Sequence, residues 1–392
     1  MHPPSSEQPQ RIAATFAAHF GDRRDRIMVR SPGRINLIGE HTDYNEGFVL
    51  PAAIDRAIWL AAAPRTDGQF HFVAADLHEL FTCTWQSLRP CSQTWPNYLM
   101  GVLAQMRRAG SEVPGCEAVF GGDVPIGAGL SSSAAMTAGF AFALNVLFGL
   151  GFDRWQLAHL AQQAEHEFAG VPCGIMDQFS NLFGGEQKVV RLDCRTLAYE
   201  YFPFAHDDAC FVLCDSGVRR RLAASEYSVR RRQCESGVTV LRRHQPAVQS
   251  LRDVSLELLA SCRKELEPVI YRRCAYVVRE NARVLAACQA LQRDDLHAFG
   301  ALMFESHAGL RDEYEVSCPE LDVLVGIARQ VPGVLGSRMM GAGFGGCTLN
   351  LVATEQLAHF ETVVHTEYSR RTGGRADIHI VRPAAGTECV AL

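Results

Sequence analysis

Lysine is almost absent from this sequence of 392 residues, which contains only Lys188 and Lys264. A P-loop needs a lysine within its GxxxxGK(S/T) motif, and a protein kinase needs a strand lysine beside a glycine-rich loop. The two lysines lie in "GGEQKVV" and "SCRKEL", and neither segment has such a pattern. The sequence therefore excludes both classes, and any ATP site here has to work without a lysine that clamps phosphate.

Cysteine pairing motifs and a leader segment are also missing. The fourteen cysteines include no CxxC pair and no Cys/His cluster at the spacing of a zinc site. The first residues, "MHPPSSEQPQRIAATF", lack the basic and then apolar pattern of a secretion signal. We therefore expect a cytoplasmic protein whose cysteines are mostly buried small hydrophobic side chains rather than disulfides.

An excess of positive charge is absent as well. The net charge of -5 gives no general attraction to nucleic acid or to an anionic membrane. Arginines cluster at 219–221 and 230–232, but without interleaved aromatic residues this pattern is typical of a solvated basic face. We expect neither nucleic acid nor a membrane among the partners.

The longest uncharged stretch, residues 125–152, is long enough to cross a membrane. It opens with glycines and three serines, however, and Asn145 interrupts it. Its truly apolar part covers about four helical turns, which suits a soluble core better than a bilayer. This pattern predicts a core helix that is covered on all sides.

The length of the chain predicts two domains, which we place at residues 1–207 and 208–392. The first half mixes strand and helix patterns, and its clearest helix begins at Asp153, with Gln156 as capping partner, and stops at Gly170. Arg-rich helical patterns begin at about residue 217. The chain closes with the order strand, glycine loop, strand, helix, strand, which predicts a small α+β domain.

Two glycine-rich loops differ in the element that comes after each of them. "GAGFGG" at 341–346 matches a dinucleotide-binding motif, but the strand pattern "CTLNLVA" comes next, where that fold needs a helix. "PIGAGLSSSAA" at 125–135 is the better phosphate site, because Gly127 and Gly129 let backbone N–H groups converge before a helix that opens with three serines. The alternative for this loop is an ordinary serine N-cap after a glycine turn.

Residues 31–51, "SPGRINLIGEHTDYNEGFVLP", hold polar and ionisable side chains between apolar ends. A surface loop would be polar throughout, and a core strand would not contain so many ionisable groups. Glu40 or Asp43 alone could be a solvated loop acid. As a cluster with His41, hemmed in by apolar residues, they indicate a buried binding segment.

Three segments together resemble the three motifs of the GHMP small-molecule kinases: 33–51, 125–135 and 341–347. The first is similar to the galactokinase signature, and "AEHEFAGVPCGIMDQF" and "VRRRLAASEYSVRRRQCE" look like further galactokinase segments. The length fits the animal type of that family. The resemblance implies an α+β fold with two domains, the N-terminal one ribosomal protein S5 domain 2-like and the C-terminal one ferredoxin-like, and an active site in the cleft between them.

The resemblance also implies a reaction and a role for individual residues. The reaction is the ATP-dependent phosphorylation of the anomeric hydroxyl of galactose, the first committed step of galactose catabolism, with Mg²⁺. The implied roles are a catalytic base with an arginine beside it (Asp177, Arg34), further contacts to the sugar (Glu40, His41, Asp43, Gly174, Tyr227), contacts to the nucleotide (Gly127, Gly129, Ser131, Ser132, Trp95), and Mg²⁺ ligands (Ser132, Glu165).

Simpler interpretations stay open for three of these residues. Asp177 could be a helix-start carboxylate, Glu165 a solvated helix glutamate, and Trp95 a core tryptophan. Two other functions are also open, a kinase for N-acetylgalactosamine and a non-catalytic sensor of galactose and ATP. The intact "GLSSSAA" and the presence of Arg34 with Asp177 favour the galactose enzyme, acting on small molecules as a monomer or homodimer.

Overall fold

The computed structural model describes residues 7–125, 129–219 and 223–391, except for the side chains of 223–225. Helices and strands alternate in the mixed order that the sequence predicts. The helices are α1 Gln8–Phe20, α2 Thr94–Arg108, α3 Ser132–Phe148, α4 Arg154–Ala164, α5 Met176–Phe183, α6 Ala223–His244, α7 Leu256–Ser261, α8 Pro268–Gln292, α9 Leu296–Asp312, α10 Pro319–Ala328 and α11 Leu357–Thr372. The strands are β1 Ile27–Asn36, β2 Phe48–Val49, β3 Pro51–Pro64, β4 Gln69–Ala74, β5 Glu79–Thr84, β6 Cys116–Gly122, β7 Lys188–Asp193, β8 Tyr199–Pro203, β9 Ala209–Asp215, β10 Val334–Met339, β11 Cys347–Ala353, β12 Asp377–Val381 and β13 Glu388–Val390.

The larger sheet has six strands in the order β13-β1-β3-β6-β4-β5. Its pairs are antiparallel except for the parallel pair β4 and β6. Helices α3 and α5 pack on β1 and β3, and α2 and α4 pack against α3. The largest hydrophobic core of the chain lies between this sheet and these helices.

Helix α3 is the uncharged stretch, and it is a core helix as predicted. Its side chains are buried from Ala134 to Leu144, with Phe142 half-buried, and only the last turn reaches solvent at Val146. Within residues 7–125, 129–219 and 223–391, no helix is both long enough and apolar enough to cross a membrane. All fourteen cysteines lie in these ranges; none forms a disulfide, and nine are buried.

Helix α4 begins as predicted and ends in an unexpected way. The side chain of Asp153 accepts a hydrogen bond from the backbone N–H of Gln156, and the Gln156 side chain accepts one from Asp153 N, which is a complete capping box. After Ala164 the chain makes a π-helical turn, Glu165–Ala169, before Gly170 ends it with φ 70°. Such turns are frequent at functional sites, and this one carries Glu165.

The second sheet has the order β10-β11-β9-β12. The predicted succession of strand, glycine loop, strand, helix and strand at the end of the chain is confirmed by β10, β11, α11 and β12. However, β9 pairs with both β11 and β12, so this sheet is completed by a strand from the middle of the chain. The last strand, β13, returns to pair with β1 in the larger sheet.

Candidate active site

Arg34 and Asp177 form an ion pair between β1 and the first turn of α5. Arg34 Nε donates a hydrogen bond to Asp177 Oδ1 at 2.8 Å, and Nη2 lies 2.8 Å from the same oxygen. The arginine side chain is 6% exposed, whereas the aspartate side chain is 24% exposed. The carboxylate is therefore held from the protein side and still accessible to a ligand.

Ser131 holds the other oxygen of Asp177. Its hydroxyl donates to Oδ2, although the two residues are 46 positions apart. Ser131 has φ 57°, in the left-handed region that non-glycine residues rarely adopt, and its side chain makes no capping bond to α3. The interpretation as an ordinary serine N-cap is therefore wrong, because the hydroxyl binds the carboxylate instead.

Arg34 also fixes the loop that leads into α3. Its Nη1 donates to the backbone oxygen of Gly129 at 2.5 Å, and its backbone N–H donates to that of Leu130 at 3.1 Å. Gly127 lies outside the described residues, so its predicted phosphate contact stays a prediction. The described part of the glycine-rich loop is thus attached directly to the Arg34–Asp177 pair.

Glu165 is a buried carboxylate and not the solvated helix residue that was the alternative. It is 3% exposed, and its Oε1 accepts hydrogen bonds from Gln178 Nε2 at 2.8 Å and Thr137 Oγ1 at 3.3 Å. The Ser133 hydroxyl is a further partner. Burial raises the pKa of Glu165 to about 7, and the nearby charge of Asp177 adds to the shift. A cation at this place would favour the ionised carboxylate.

The donors around Glu165 fit a magnesium ion that is bound mainly through its substrate. Among the residues that the structure describes, no three His, Cys, Asp or Glu side chains group closely enough to cage a metal. Mg²⁺ does not require such a cage, because it keeps waters and takes oxygens from phosphates and one or two carboxylates. Glu165 and the serines that begin α3, Ser132 among them, offer hard oxygen ligands of this kind.

His41 and Tyr44 lie in the polar segment between β1 and β2, and they are tied to each other. His41 has φ 63°, and its Nδ1 lies 2.8 Å from Tyr44 Oη. Tyr44 Oη in turn lies 2.7 Å from the hydroxyl of Tyr314, which comes shortly after α9. Because its neighbours fix the ring, His41 is orientated before any ligand binds.

Asp43 and Gly174 approach each other so closely that a larger residue at position 174 would displace the Asp43 carboxylate. A Cβ atom on Gly174 would lie 1.9 Å from Asp43 Oδ2. Burial, helped by the charges of Asp177 and Glu40, raises the pKa of Asp43 to about 7, and the backbone N–H of Tyr44 and the charge of Arg34 oppose this shift. The predicted sugar acids therefore share one enclosed place with Asp177.

Tyr227, on α6, brings the second half of the chain to the same place. Its ring centroid lies 4.9 Å from that of Tyr44 and 5.7 Å from that of His41. Burial raises the pKa of its hydroxyl well above the usual value, so the hydroxyl stays protonated and can donate a hydrogen bond. The residues predicted to bind one ligand thus converge from β1, α5, α6 and the loops around residues 43 and 174.

Comparison with known proteins shows the family of this chain. The galactokinase galactose-binding signature matches residues 14–64, the GHMP kinases N terminal domain matches 97–185, and the GHMP kinases C terminal domain matches 287–360. Galactokinase of Roseiflexus sp. (strain RS-1) is 44% identical over 371 residues, which cover 95% of this chain and 94% of that protein. The chain belongs to the galactokinase family.

Two further relatives agree with this assignment. Galactokinase of Homo sapiens is 41% identical over 385 residues, which cover 96% of this chain and 95% of that protein. The crystal structure of Lactococcus lactis galactokinase complexed with galactose matches with a TM-score of 0.93 and 34% identity, covering 97% of this chain and 99% of that one. The predicted α+β architecture of a GHMP kinase, with its N- and C-terminal domains, is confirmed.

Trp95 lies deeper in this galactokinase-family fold than a nucleotide contact would suggest. It is 8% exposed, its Nε1 donates to Glu79 at 2.6 Å, and its ring packs against Phe81 and Phe120. These contacts are those of the core tryptophan that was the alternative. Its contact with adenine stays a prediction.

The sequence did not single out the residues that hold Glu40. Gly341 N donates to Glu40 Oε1 at 2.7 Å, Arg338 Nη2 lies 3.3 Å from the same oxygen, and Tyr276 Oη donates to the backbone oxygen of Glu40 at 3.0 Å. One signal was present, namely a lone arginine in the otherwise apolar and small segment "GVLGSRMMGAG". Its partner Glu40, in the segment between β1 and β2, could not be identified from the sequence around this arginine.

Proposed function

We propose that this protein transfers the γ-phosphoryl group of ATP to the anomeric hydroxyl of D-galactose, giving α-D-galactose 1-phosphate. The observation that carries the proposal is the Arg34–Asp177 pair, which is bonded to the glycine-rich loop and lies near enough to Asp43 for its charges to affect the pKa of that acid. A polyphosphate on the loop and a sugar in the cluster would meet at Asp177. Membership of the galactokinase family supports galactose as the sugar.

Asp177 acts as the base. The anomeric oxygen attacks the γ-phosphorus, the bond from that phosphorus to the β–γ bridging oxygen breaks, and the hydroxyl proton passes to the Asp177 carboxylate. An aspartate is a weak base towards an alcohol, so the proton moves late, in a loose transition state. Positioning therefore supplies most of the acceleration, and Arg34 and Ser131 fix the carboxylate for it.

Arg34 has a second function in the same step. Its guanidinium lies between Asp177 and the backbone of Gly129, on the loop that faces the phosphates. A fixed cation there offsets the charge that spreads over the transferring phosphoryl group. Glu165 and Ser132 would hold Mg²⁺, which supplies further neutralisation of phosphate charge when it is bound.

Glu40, His41, Asp43, Gly174 and Tyr227 surround the sugar in this proposal. A hydroxyl-rich ligand satisfies such polar groups, and each group left unpaired in a closed site costs about 1–3 kcal/mol. We also propose that the domains divide near residue 207, just before β9 starts the second sheet. The cytoplasmic location and the monomeric or homodimeric state stay predictions.

A coupled assay of ADP release over a panel of sugars tests the proposed function. Galactose should have the highest kcat/KM, and glucose should lose roughly 5- to 150-fold for each contact that its epimeric hydroxyl fails to make. Tolerance of 2-deoxygalactose together with rejection of N-acetylgalactosamine fits a site shaped for a hydroxyl at carbon 2. Equal or better turnover of N-acetylgalactosamine would assign that activity instead, and binding of galactose and ATP without ADP release would indicate a sensor.

A further inference from the structure

Glu40 is held through one oxygen by the C-terminal half of the chain. Its Oε1 accepts a hydrogen bond from Gly341 N at 2.7 Å and lies 3.3 Å from Arg338 Nη2. Both side chains of the ion pair are buried, Arg338 at 0% and Glu40 at 3% exposure. None of the described residues donates a hydrogen bond to Oε2. Oε2 is therefore the oxygen that remains for a ligand hydroxyl.

Arg338 is itself fixed on more than one side. Its Nη1 donates to the backbone oxygen of Asn36, on β1, at 2.8 Å. Burial alone would raise the pKa of nearby Glu280, but the cations of Arg283 and Arg338 bring it below its usual range. Arg338 thus forms an ion pair with Glu40, and its charge also favours the ionised form of the buried Glu280.

Glu280 holds the backbone next to Glu40. Its Oε1 accepts hydrogen bonds from Gly39 N at 2.9 Å and from Ser306 Oγ at 2.6 Å, while Oε2 accepts from Arg283 Nε at 2.6 Å. Gly39 has φ 94°, and a Cβ there would meet the backbone oxygen of Phe48 at 2.7 Å. The main chain at residues 39–40 is therefore fixed by α8, and the Glu40 side chain by β10 and the loop after it.

We propose that Arg338 is a positioning residue for the sugar: it fixes the Glu40 carboxylate so that Oε2 meets one particular sugar hydroxyl. This inference rests on the proposed function, because it takes Glu40 to be a galactose contact. The buried ion pair on Oε1 restricts rotation of the carboxylate, and a pre-orientated acceptor binds a hydroxyl more tightly than a mobile one. Arg338 would thereby affect sugar affinity without touching the sugar.

Arg338→Lys is the variant that separates positioning from folding. Lysine keeps the buried cation that balances Glu40 and Glu280, but its single ammonium group cannot reach Asn36 and Glu40 in the geometry of a guanidinium. The galactose KM should rise about 10-fold, the effect expected when the hydrogen bond between the sugar hydroxyl and the Glu40 carboxylate is weakened. The kcat and the KM for ATP should stay within about twofold, since the lost interaction is one of ground-state binding.

Monodeoxygalactoses identify the hydroxyl concerned. In the parent protein, each deoxy sugar has a lower kcat/KM than galactose, by a factor that depends on which hydroxyl is missing. The Glu40→Gln variant shows at which sugar position this factor depends on Glu40. We expect Arg338→Lys to shrink the factor at that same position and to leave the factors at the other positions unchanged. A variant whose only defect is a less stable fold would change the factors at all sugar positions to the same extent.

Arg273→Lys is the matched control. Arg273 is another buried arginine, on α8, and it bonds to Glu315 and to the backbone oxygen of Glu313; among the described residues its partners do not include Glu40. It should lower the melting temperature without changing the pattern across deoxy sugars. If Arg338→Lys keeps the full parental factor at the Glu40 position, or behaves like Arg273→Lys, the positioning proposal is overturned. Failure of the parent protein to phosphorylate galactose would instead overturn the proposed function.

Discussion

Arg34 and Asp177 lie 143 residues apart, yet two nitrogens of the guanidinium contact a single carboxylate oxygen at 2.8 Å. The second oxygen accepts from Ser131. One oxygen is thus held by a residue that is bonded to the glycine-rich loop, and the other by a residue of the loop itself. The orientation of the proposed base and the shape of the loop are consequently coupled through the same three side chains.

We predict that Asp177→Asn removes turnover while leaving the fold intact. Asparagine keeps the shape of the side chain but cannot accept the hydroxyl proton as a carboxylate does. The kcat should fall by about 10²–10⁴-fold, which is the usual contribution of a general base. The ADP-release assay measures this, and calorimetric titration with ATP and a melting curve should show nucleotide binding and melting temperature close to those of the parent.

Asp76→Asn is the control for that experiment. Asp76 has similar partners outside the site, with Oδ1 at 2.7 Å from Arg11 and Oδ2 accepting from Gly122 N at 2.8 Å. It should lower the melting temperature and leave kcat unchanged. Substantial turnover by Asp177→Asn would remove Asp177 from the role of base.

Local signals in the sequence predicted local structure well. The capping box of Asp153 and Gln156 forms within a single turn, and the spacing of three residues is sufficient to predict it. Helix α3 and the order of elements at the C-terminus could be predicted for the same reason. In each case the pattern and its partner lie close together in the chain.

Contacts between residues that lie far apart in the chain could not be predicted from the sequence. Ser131 comes after a glycine turn like an N-cap, but its hydroxyl is taken by a carboxylate 46 residues away. Similarly, β9 pairs with β11 and β12 in the C-terminal sheet, and β13 pairs with β1. The periodicity of hydrophobic residues can predict a strand, but it does not show which strand will be its neighbour. The ion pair of Arg338 with Glu40 spans the two halves of the chain in the same way.

We predict that Glu165→Gln raises the magnesium requirement far more than the galactose KM. Removing the charge of a proposed ligand weakens the hold on the metal, whereas the sugar contacts lie on other elements. The concentration of Mg²⁺ for half-maximal rate should rise several-fold at fixed ATP and galactose. A magnesium titration of the rate, with a parallel galactose titration, measures both effects.

Two controls accompany the magnesium experiment. Glu167→Gln removes a carboxylate from the same π-helical turn, but Glu167 faces outward and pairs with Arg108, so the magnesium requirement should not change. The double variant Lys188→Ala with Lys264→Ala should retain ATP binding, because both lysines are exposed. Loss of ATP binding in the double variant would contradict the assignment of the phosphates to the glycine-rich loop.

We predict that Gly174→Ala weakens galactose binding through Asp43. The new Cβ would lie 1.9 Å from the Asp43 carboxylate, which therefore has to move away from the sugar. The galactose KM should rise by about 10-fold or more, the effect of losing a hydrogen bond to a charged group. Gly326→Ala is the matched control, because no atom lies within 4 Å of its added Cβ on α10. The same rise in both variants would rule out a specific clash.

The pH dependence of stability provides a test of the enclosed acid cluster. Burial and neighbouring charges raise the pKa of Asp43 from 3.8 to about 7 in the folded protein. Between about pH 4 and 7 the folded state therefore keeps a proton that the unfolded state has released, and the free energy of unfolding falls as the pH rises. Above pH 7 both states are ionised, and this contribution no longer changes.

We accordingly predict that Asp43→Asn flattens the stability profile between about pH 4.5 and 7 in the absence of sugar and magnesium. A single group of this kind contributes at most about 1.4 kcal/mol per pH unit to the slope. The pKa of Glu165 is also raised by burial, so this residue contributes to the slope with the same sign. Part of the slope should therefore persist in the Asp43→Asn variant. Urea unfolding at half-unit pH steps measures the slope.

Asp67→Asn is the control, because Asp67 has a pKa of about 2 and is ionised throughout this range. A parental slope in Asp43→Asn would show that Asp43 carries no retained proton and that the cluster is more open to water than its geometry indicates.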